Sequence, residues 1–310
     1  MPKSSFESTD SPPHVEQKRS IPADQTLWRR PAGVSSGTWR YAHEGSIAAR
    51  YNDFVADTPL CRVDLQLLAE VFPQYEADAN RCDSVQTAAT AGAVAPHVEP
   101  GSPHQKKIAG AAKWVLDLGC GTGRASELLA AAGFEVMAID LSIPMLQQVQ
   151  QRGLKSVLPI HANLVELDCI GDDVASGAVC LFSTLGMIQG RSNRRRFLSH
   201  VRRIVQSGGL FYLHVHHRYA ALTSLPGTRQ LAGSAMRAMV QPQWEFGDAV
   251  YPYRGLPDMF LHQFSRRELR ADFAASGWQV QRWERLSLDG SRLLGNKERA
   301  IAGGFLVVVN

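Results

Sequence analysis

A chain of 310 residues with 45% apolar and 20% charged residues can bury a full α/β core, and its composition argues against global disorder. The formal net charge of +4 is mildly basic, which permits an acidic partner without pointing to one. Five cysteines, none in C-x-x-C spacing, argue against a disulfide framework and for a reducing compartment; with no signal-like or membrane-length apolar run, a soluble cytoplasmic protein is expected.

Residues 1–37 are rich in Ser, Pro and charge and lack apolar periodicity, so they are expected to form a disordered tail. Over 38–75 the pattern turns helical. Ile47, Tyr51 and Phe54, then Leu65, Leu67, Leu68 and Val71, recur at three- and four-residue intervals, broken at Pro59. Residues 76–112 are dominated by small and polar residues and are expected to be a flexible insertion.

The core is expected over 113–310, where strand and helix patterns alternate. "WVLDL" is a buried strand, followed by a helix with Ala125, Leu128, Leu129 and Ala132 on one face and Gly133 at its end. "EVMAID" is a second strand, and the next helix has Ser142 as its cap, Pro144 in its first turn and Gly153 past its end. "SVLPIHA" and "GAVCLFST" read as strands three and four, "RSNRRRFLSHVRRIVQSGG" as a helix and "LFYLHVH" as strand five. Beyond an insertion at about 218–260, Ser265 and Glu268 have capping-box spacing ahead of another helix. "QVQRWERLSL" and "GFLVVV" then follow with no helix between them, so they should pair as a hairpin. Such alternation means a parallel-dominated sheet covered on both faces.

Strand one runs into "GCGTG", which places a glycine loop at the carboxyl end of the sheet, where open α/β folds bind ligands. The dinucleotide fingerprint G-x-G-x-x-G is not met, because Gly119, Gly121 and Gly123 give G-x-G-x-G and Arg124 stands where the last glycine belongs. No Lys-Ser/Thr pair follows, which excludes a phosphate-binding P-loop. A nucleoside without a pyrophosphate fits better. Asp140 ends strand two, where a carboxylate can accept both hydrogen bonds of a ribose diol, and the side-chain oxygen of Asn163, after strand three, could accept from an adenine amino group.

"VLDLGCGTG", "VMAIDLSIPML", "HANLVELD" and "RIVQSGGLFYLHV" together resemble the successive motifs of class I S-adenosylmethionine-dependent methyltransferases, of the type 11/25-like groups. The resemblance runs from about Tyr41 to the C-terminus, apart from the insertion before Trp114. It implies a Rossmann-like seven-stranded, mostly parallel α/β sheet of order 3-2-1-4-5-7-6 with an antiparallel final strand and helices on both faces. It also implies S-adenosyl-L-methionine as cofactor. Asp117, Gly119, Cys120, Gly121 and Gly123 would hold its methionine portion, Asp140 and Leu141 its ribose, and Asn163 and Leu164 its adenine. Ser183 would lie beside it, and Tyr51 would help close the site. The chain departs from the common pattern in having Asn at 163 rather than Asp, and Ser176-Gly177-Ala178 where many members begin strand four with Phe-Asp.

Methyl transfer from a sulfonium needs mainly alignment, and a base only where the acceptor loses a proton. Strand five ends in "HVHH", with His214 and His216 on one face and His217 on the other. His216 and His217 are the candidate bases; no Cys or second acid stands beside them to make a metal site, and none is expected. The insertion concentrates Trp244, Phe246, Tyr251, Tyr253, Phe260 and His262, which could wall an acceptor pocket or anchor a long loop. Arg195, Arg196, Arg202 and Arg203 line one side of a helix, either as an RNA-binding stripe or as an ordinary solvated face. The expected acceptor is a small molecule. The alternatives are RNA, with "FLHQFSRREL" resembling a stretch of wobble-uridine tRNA methyltransferases, and a non-catalytic S-adenosylmethionine-binding regulator.

Overall fold

The computed structural model describes residues 30–56, 58–72 and 114–310. The insertion expected over 76–112 and residues 1–29 of the expected tail lie outside the described residues. Residues 31–37, assigned to that tail, instead belong to the folded part. Val34 bridges Ile188, Gly33 O accepts from Gln189 N at 2.7 Å, and Ser35 caps the first helix by accepting from Thr38 N. These are long-range pairings, invisible to a search for local apolar periodicity.

Helices α1 (Ser36–His43) and α2 (Gly45–Ala56) precede a third, α3, over 60–72, with the break beside Pro59. The main sheet contains β1 (Trp114–Leu118), β2 (Glu135–Asp140), β3 (Val157–His161), β4 (Ala175–Cys180), β5 (Val205–His216), β8 (Val280–Leu286), β9 (Leu293–Leu294) and β10 (Gly304–Val309). Its order is β3-β2-β1-β4-β5-β10-β8-β9. The first five are parallel, and β10 runs antiparallel to both β5 and β8. The expected seven-strand order is therefore present, and an eighth, two-residue strand, β9, pairs with β8 within the β8–β10 connection.

Strand alternation sorts the core into two layers. Leu116 and Leu118 of β1, Phe211, Leu213 and Val215 of β5, and Phe305, Val307 and Val309 of β10 face α7 (Arg191–Ile204) and α9 (Arg266–Ala275). Val115, Tyr212, Leu306 and Val308 face α3 and α4 (Arg124–Ala131) through Leu67, Leu68, Phe72 and Leu129. The capping signals hold. Ser142 accepts from Met145 N ahead of α5 (Ile143–Gln151), and Ser265 with Glu268 closes a capping box on α9. Two boundaries differ from the sequence pattern. β4 ends at Cys180, because Phe182 and Ser183 adopt positive φ and lead into the short α6 (Thr184–Met187). Helix α7 stops at Ile204, and Val205 already pairs with Ala175 at the start of β5.

The insertion comprises a 3-10 turn (Arg218–Thr223), helix α8 (Leu225–Val240) and the hairpin β6 (Asp248–Tyr253) with β7 (Leu256–His262). It leaves and re-enters at one point: Phe264 N donates to His216 O and Arg218 N donates to Phe264 O, each at 2.9 Å. Helix α1 packs on β7 at Gly37, where a Cβ would lie 1.9 Å from Asp258 O. Arg40 and Ser36 both bond the Asp258 carboxylate there. The hairpin and the N-terminal helices thus form one cover over the carboxyl ends of the strands. No described helix is long and apolar enough to cross a membrane.

Candidate active site

A cavity opens where β1, β2, β4 and β5 end, beneath α1, α2 and the hairpin, and its floor is the glycine loop. Gly119 has φ +72°, its amide donates to Ile139 O at 2.8 Å, and a Cβ on it would sit 2.3 Å from Thr184 Cγ2. Gly121 has φ +54° and lies under the Tyr51 ring, whose Cε1 would be 3.4 Å from any added Cβ. Both positions therefore demand glycine for conformation, and Gly119 also for space.

Asp140 ends β2 at the cavity wall, with Oδ2 accepting from Gly121 N and Oδ1 from Ser142 N, each at 2.8 Å. Burial pushes its carboxyl above the usual range, and these backbone bonds oppose the shift. Each oxygen keeps a further lone pair, so the carboxylate is fixed in direction and can still accept from a ligand. Leu141, Leu164 and Asn163 continue the same wall. Asn163 Oδ1 accepts from Val165 N at 3.3 Å, while its amide nitrogen donates to Ala32 O and to Glu166.

The structure does not bring the other sequence candidates to the wall. Asp117 is buried and turned toward α4, where it accepts from Ser126 Oγ at 2.6 Å; burial pushes it up to about 6. Cys120 joins a small core with Ala138, Leu146 and Val149, and Gly123, at φ +83°, starts α4 against Val149. Ser183 is fully buried and accepts from His216 N at 3.2 Å, tying the turn after β4 to the end of β5. Each of these shapes the loop from behind.

The two candidate bases separate as alternation requires. His216 lines the cavity. His217 turns to the opposite face, where Nδ1 lies 2.9 Å from Ala302 O and the ring packs on Phe305, so it does not reach the cavity. Burial lowers His216 to about 4, which leaves its imidazole neutral near pH 7. The His214 ring stands edge-on to it with centroids 5.1 Å apart, and burial holds His214 neutral too.

The insertion's aromatic residues divide between both roles considered from the sequence. Tyr251 and Tyr253 line the cavity, whereas Phe260 is core, and Phe246 and Trp244 lie under the guanidiniums of Arg218 and Arg237. His262 is fully buried between Asp248 (2.6 Å) and Glu268 (2.9 Å). Arg218 pairs with Glu268, and the fully buried Arg194 reaches Glu245 at 2.7 Å. These charges tie the insertion to α7 and α9. Although Glu245, His262 and Glu268 are close enough to share a cation, the two arginines already supply positive charge there.

Helix α7 does not carry the free basic stripe considered from the sequence. Arg191 and Arg195 share Asp272 at 2.8 and 2.7 Å, Arg196 approaches Asp168, and Arg202 lies over Trp278. Arg203 donates to Ile170 O and Leu167 O. Sequence reasoning also missed Thr38, Tyr41, Phe54 and Phe182, which line the cavity. The first three come from the N-terminal helices, and no local signal shows where those dock.

A parallel α/β sheet with a glycine loop after β1 and a cavity-facing acid after β2 defines a Rossmann-like nucleoside-binding fold. Residues 115–209 match the family model described as a methyltransferase domain, which supports over that stretch the resemblance to class I S-adenosylmethionine-dependent methyltransferases. Malonyl-[acyl-carrier protein] O-methyltransferase of Salmonella typhimurium is 38% identical over 96 residues, covering 31% of this chain and 36% of that protein. The chain thus spans about a third of the length of that curated relative. The crystal structure of an S-adenosylmethionine-dependent methyltransferase from Methanosarcina mazei superposes with a TM-score of 0.52 at 18% identity, over 63% of this chain and 91% of that one, a likeness of fold.

Proposed function

We propose that this protein transfers a methyl group from S-adenosylmethionine to a small-molecule acceptor held in the same cavity. The observation that carries this reading is one cavity wall formed by Gly119, Gly121 and Asp140 and another formed by His216, Tyr251 and Tyr253. The residues fit the cofactor. The side-chain-free surface at Gly119 and Gly121 admits the methionine chain, Asp140 accepts the ribose diol, and Leu164 and Asn163 flank the adenine. The cofactor supplies an electrophilic methyl group on a sulfonium. The protein's part is to align the acceptor, exclude water beneath the α1–α2 and hairpin cover, and receive a proton at His216 where the acceptor releases one.

RNA as acceptor loses its main support, since the α7 arginines are engaged with Asp272, Asp168 and backbone carbonyls. A purely regulatory binding protein would need no second wall beside the cofactor, and here that wall holds a neutral imidazole. The odd cysteine count continues to favour a reducing compartment such as the cytoplasm. The test is incubation with methyl-labelled S-adenosylmethionine and a fractionated extract. Label in extractable small molecules supports the proposal; label confined to nuclease-sensitive material, or binding without transfer, overturns it.

A further inference from the structure

Given methyl transfer in this cavity, we infer that the acceptor is an uncharged, flat molecule bearing one ionisable O–H or N–H, and not a carboxylate or a phosphate. The wall away from the glycine loop is built by Phe54, Phe182, Tyr251, Tyr253, Met259 and Leu261, drawn from α2, the turn after β4 and the hairpin. Phe54 meets Phe182 edge to face at 6.2 Å and Tyr253 at 6.4 Å, so these rings form one cluster. Such a cluster offers flat apolar surface to a ring system.

The charges lining the cavity point the same way. Among the described lining residues there is no Lys or Arg, and the one carboxylate, Asp140, stands at the glycine-loop end. An anionic acceptor would lose its hydration without gaining a counter-charge from the wall, and an unpaired buried charge is strongly disfavoured. Arg254, at the hairpin tip, does not line the cavity; its guanidinium lies 4.0 Å from the Phe54 ring centroid and 5.5 Å from that of Tyr253.

The polar atoms left for an acceptor are few, an imidazole and phenol hydroxyls, and all are neutral. Neither ring nitrogen of His216 bonds a described residue, although its backbone amide is fixed by Ser183. The hydroxyls of Tyr41, Tyr251 and Tyr253 likewise donate to no described residue while their rings line the same space. A neutral imidazole with phenolic donors around it suits a hydroxyl or a ring N–H. The acceptor heteroatom's lone pair forms the new bond to the methyl carbon, the carbon–sulfur bond breaks with its electron pair going to sulfur, and the acceptor proton passes to His216 and on to solvent. The positive charge lost at sulfur is thereby gained on the imidazole, then discharged.

Two probes of matched shape separate the possibilities: 2-naphthol and 2-naphthoate, titrated calorimetrically into the full-length protein saturated with S-adenosylhomocysteine at pH 7.5. The expected result is binding of 2-naphthol at least tenfold tighter than 2-naphthoate. Equal or tighter binding of 2-naphthoate, particularly if Arg254→Ala abolishes it, overturns the inference by showing that Arg254 serves an anionic acceptor. Failure of both probes to bind also overturns it. If S-adenosylhomocysteine itself does not bind in the preceding titration, the methyl-transfer reading fails, which is a separate result.

Discussion

His216→Gln tests the feature on which proton acceptance depends, a histidine kept neutral by its surroundings. Burial moves this imidazole from its ordinary 6.5 to about 4. The unfolded chain therefore binds a proton at this site between pH 6.5 and 4 while the native protein does not, so the site's contribution to stability falls as pH drops through the unfolded value. For a shift of this size the loss between pH 7 and pH 5 is about 2 kcal/mol, at 1.36 kcal/mol per unit and allowing for partial protonation at each end. His214 and His217 are also lowered by burial and contribute in the same direction, so only the difference between wild type and variant isolates His216. Urea unfolding at pH 7 and pH 5 measures it. The variant should lose about 2 kcal/mol less on acidification, whatever its stability at pH 7. Equal acid sensitivity of the two proteins would show that His216 titrates normally, and its assignment as a neutral base would fall with that result.

Asp140→Ala removes the carboxylate at the cavity wall and should weaken S-adenosylmethionine binding by roughly 1.5–3 kcal/mol, the worth of hydrogen bonds to a charged group, as read by calorimetry on a protein with unchanged circular dichroism. Gly119→Ala forces a side chain into a left-handed conformation against Thr184; it should abolish cofactor binding and cost about 1–3 kcal/mol of stability, measured by urea unfolding. His217→Gln should leave turnover within about threefold of wild type, because that ring lies against Phe305 on the other face; a loss of two orders of magnitude, in assays with an acceptor found by labelling, would contradict this. Arg194→Leu removes the guanidinium bonded to Glu245, which keeps only its bond from Arg191 N, and should destabilise the protein by roughly 1.5–3 kcal/mol in denaturant titration.

Much of this protein was legible before any coordinates. The 2-fold and 3.6-fold apolar periods, the caps at Ser142 and Ser265 and the glycine loop after β1 are local features, and the core elements they mark formed within a few residues of the expected bounds. Local chemistry also placed Gly119, Gly121 and Asp140 together, because a strand–loop–helix unit leaves its loop at the sheet's carboxyl edge whatever follows. Alternation along β5 already put His216 and His217 on opposite faces.

Which of those faces opens onto the cavity was a tertiary decision. Tyr41 reaches the cavity because α1 docks on β7, more than two hundred residues away, through Gly37 and Asp258, and Phe54 because α2 packs on α5 through Ile47, Ala48 and Met145. Arg195, Arg196, Arg202 and Arg203 of α7 look like a free basic stripe in sequence, and in the fold Arg195 pairs with Asp272, far along the chain, Arg196 approaches Asp168, Arg202 lies over Trp278 and Arg203 donates to Ile170 O and Leu167 O. The sequence by itself determined most core elements and the cofactor-side loop, since these rest on local periods, caps and turns, while the strand order followed from the resemblance of its motifs. The tertiary structure alone decided the acceptor-side wall and the fate of the charges, since both depend on pairings between distant segments that no local period encodes.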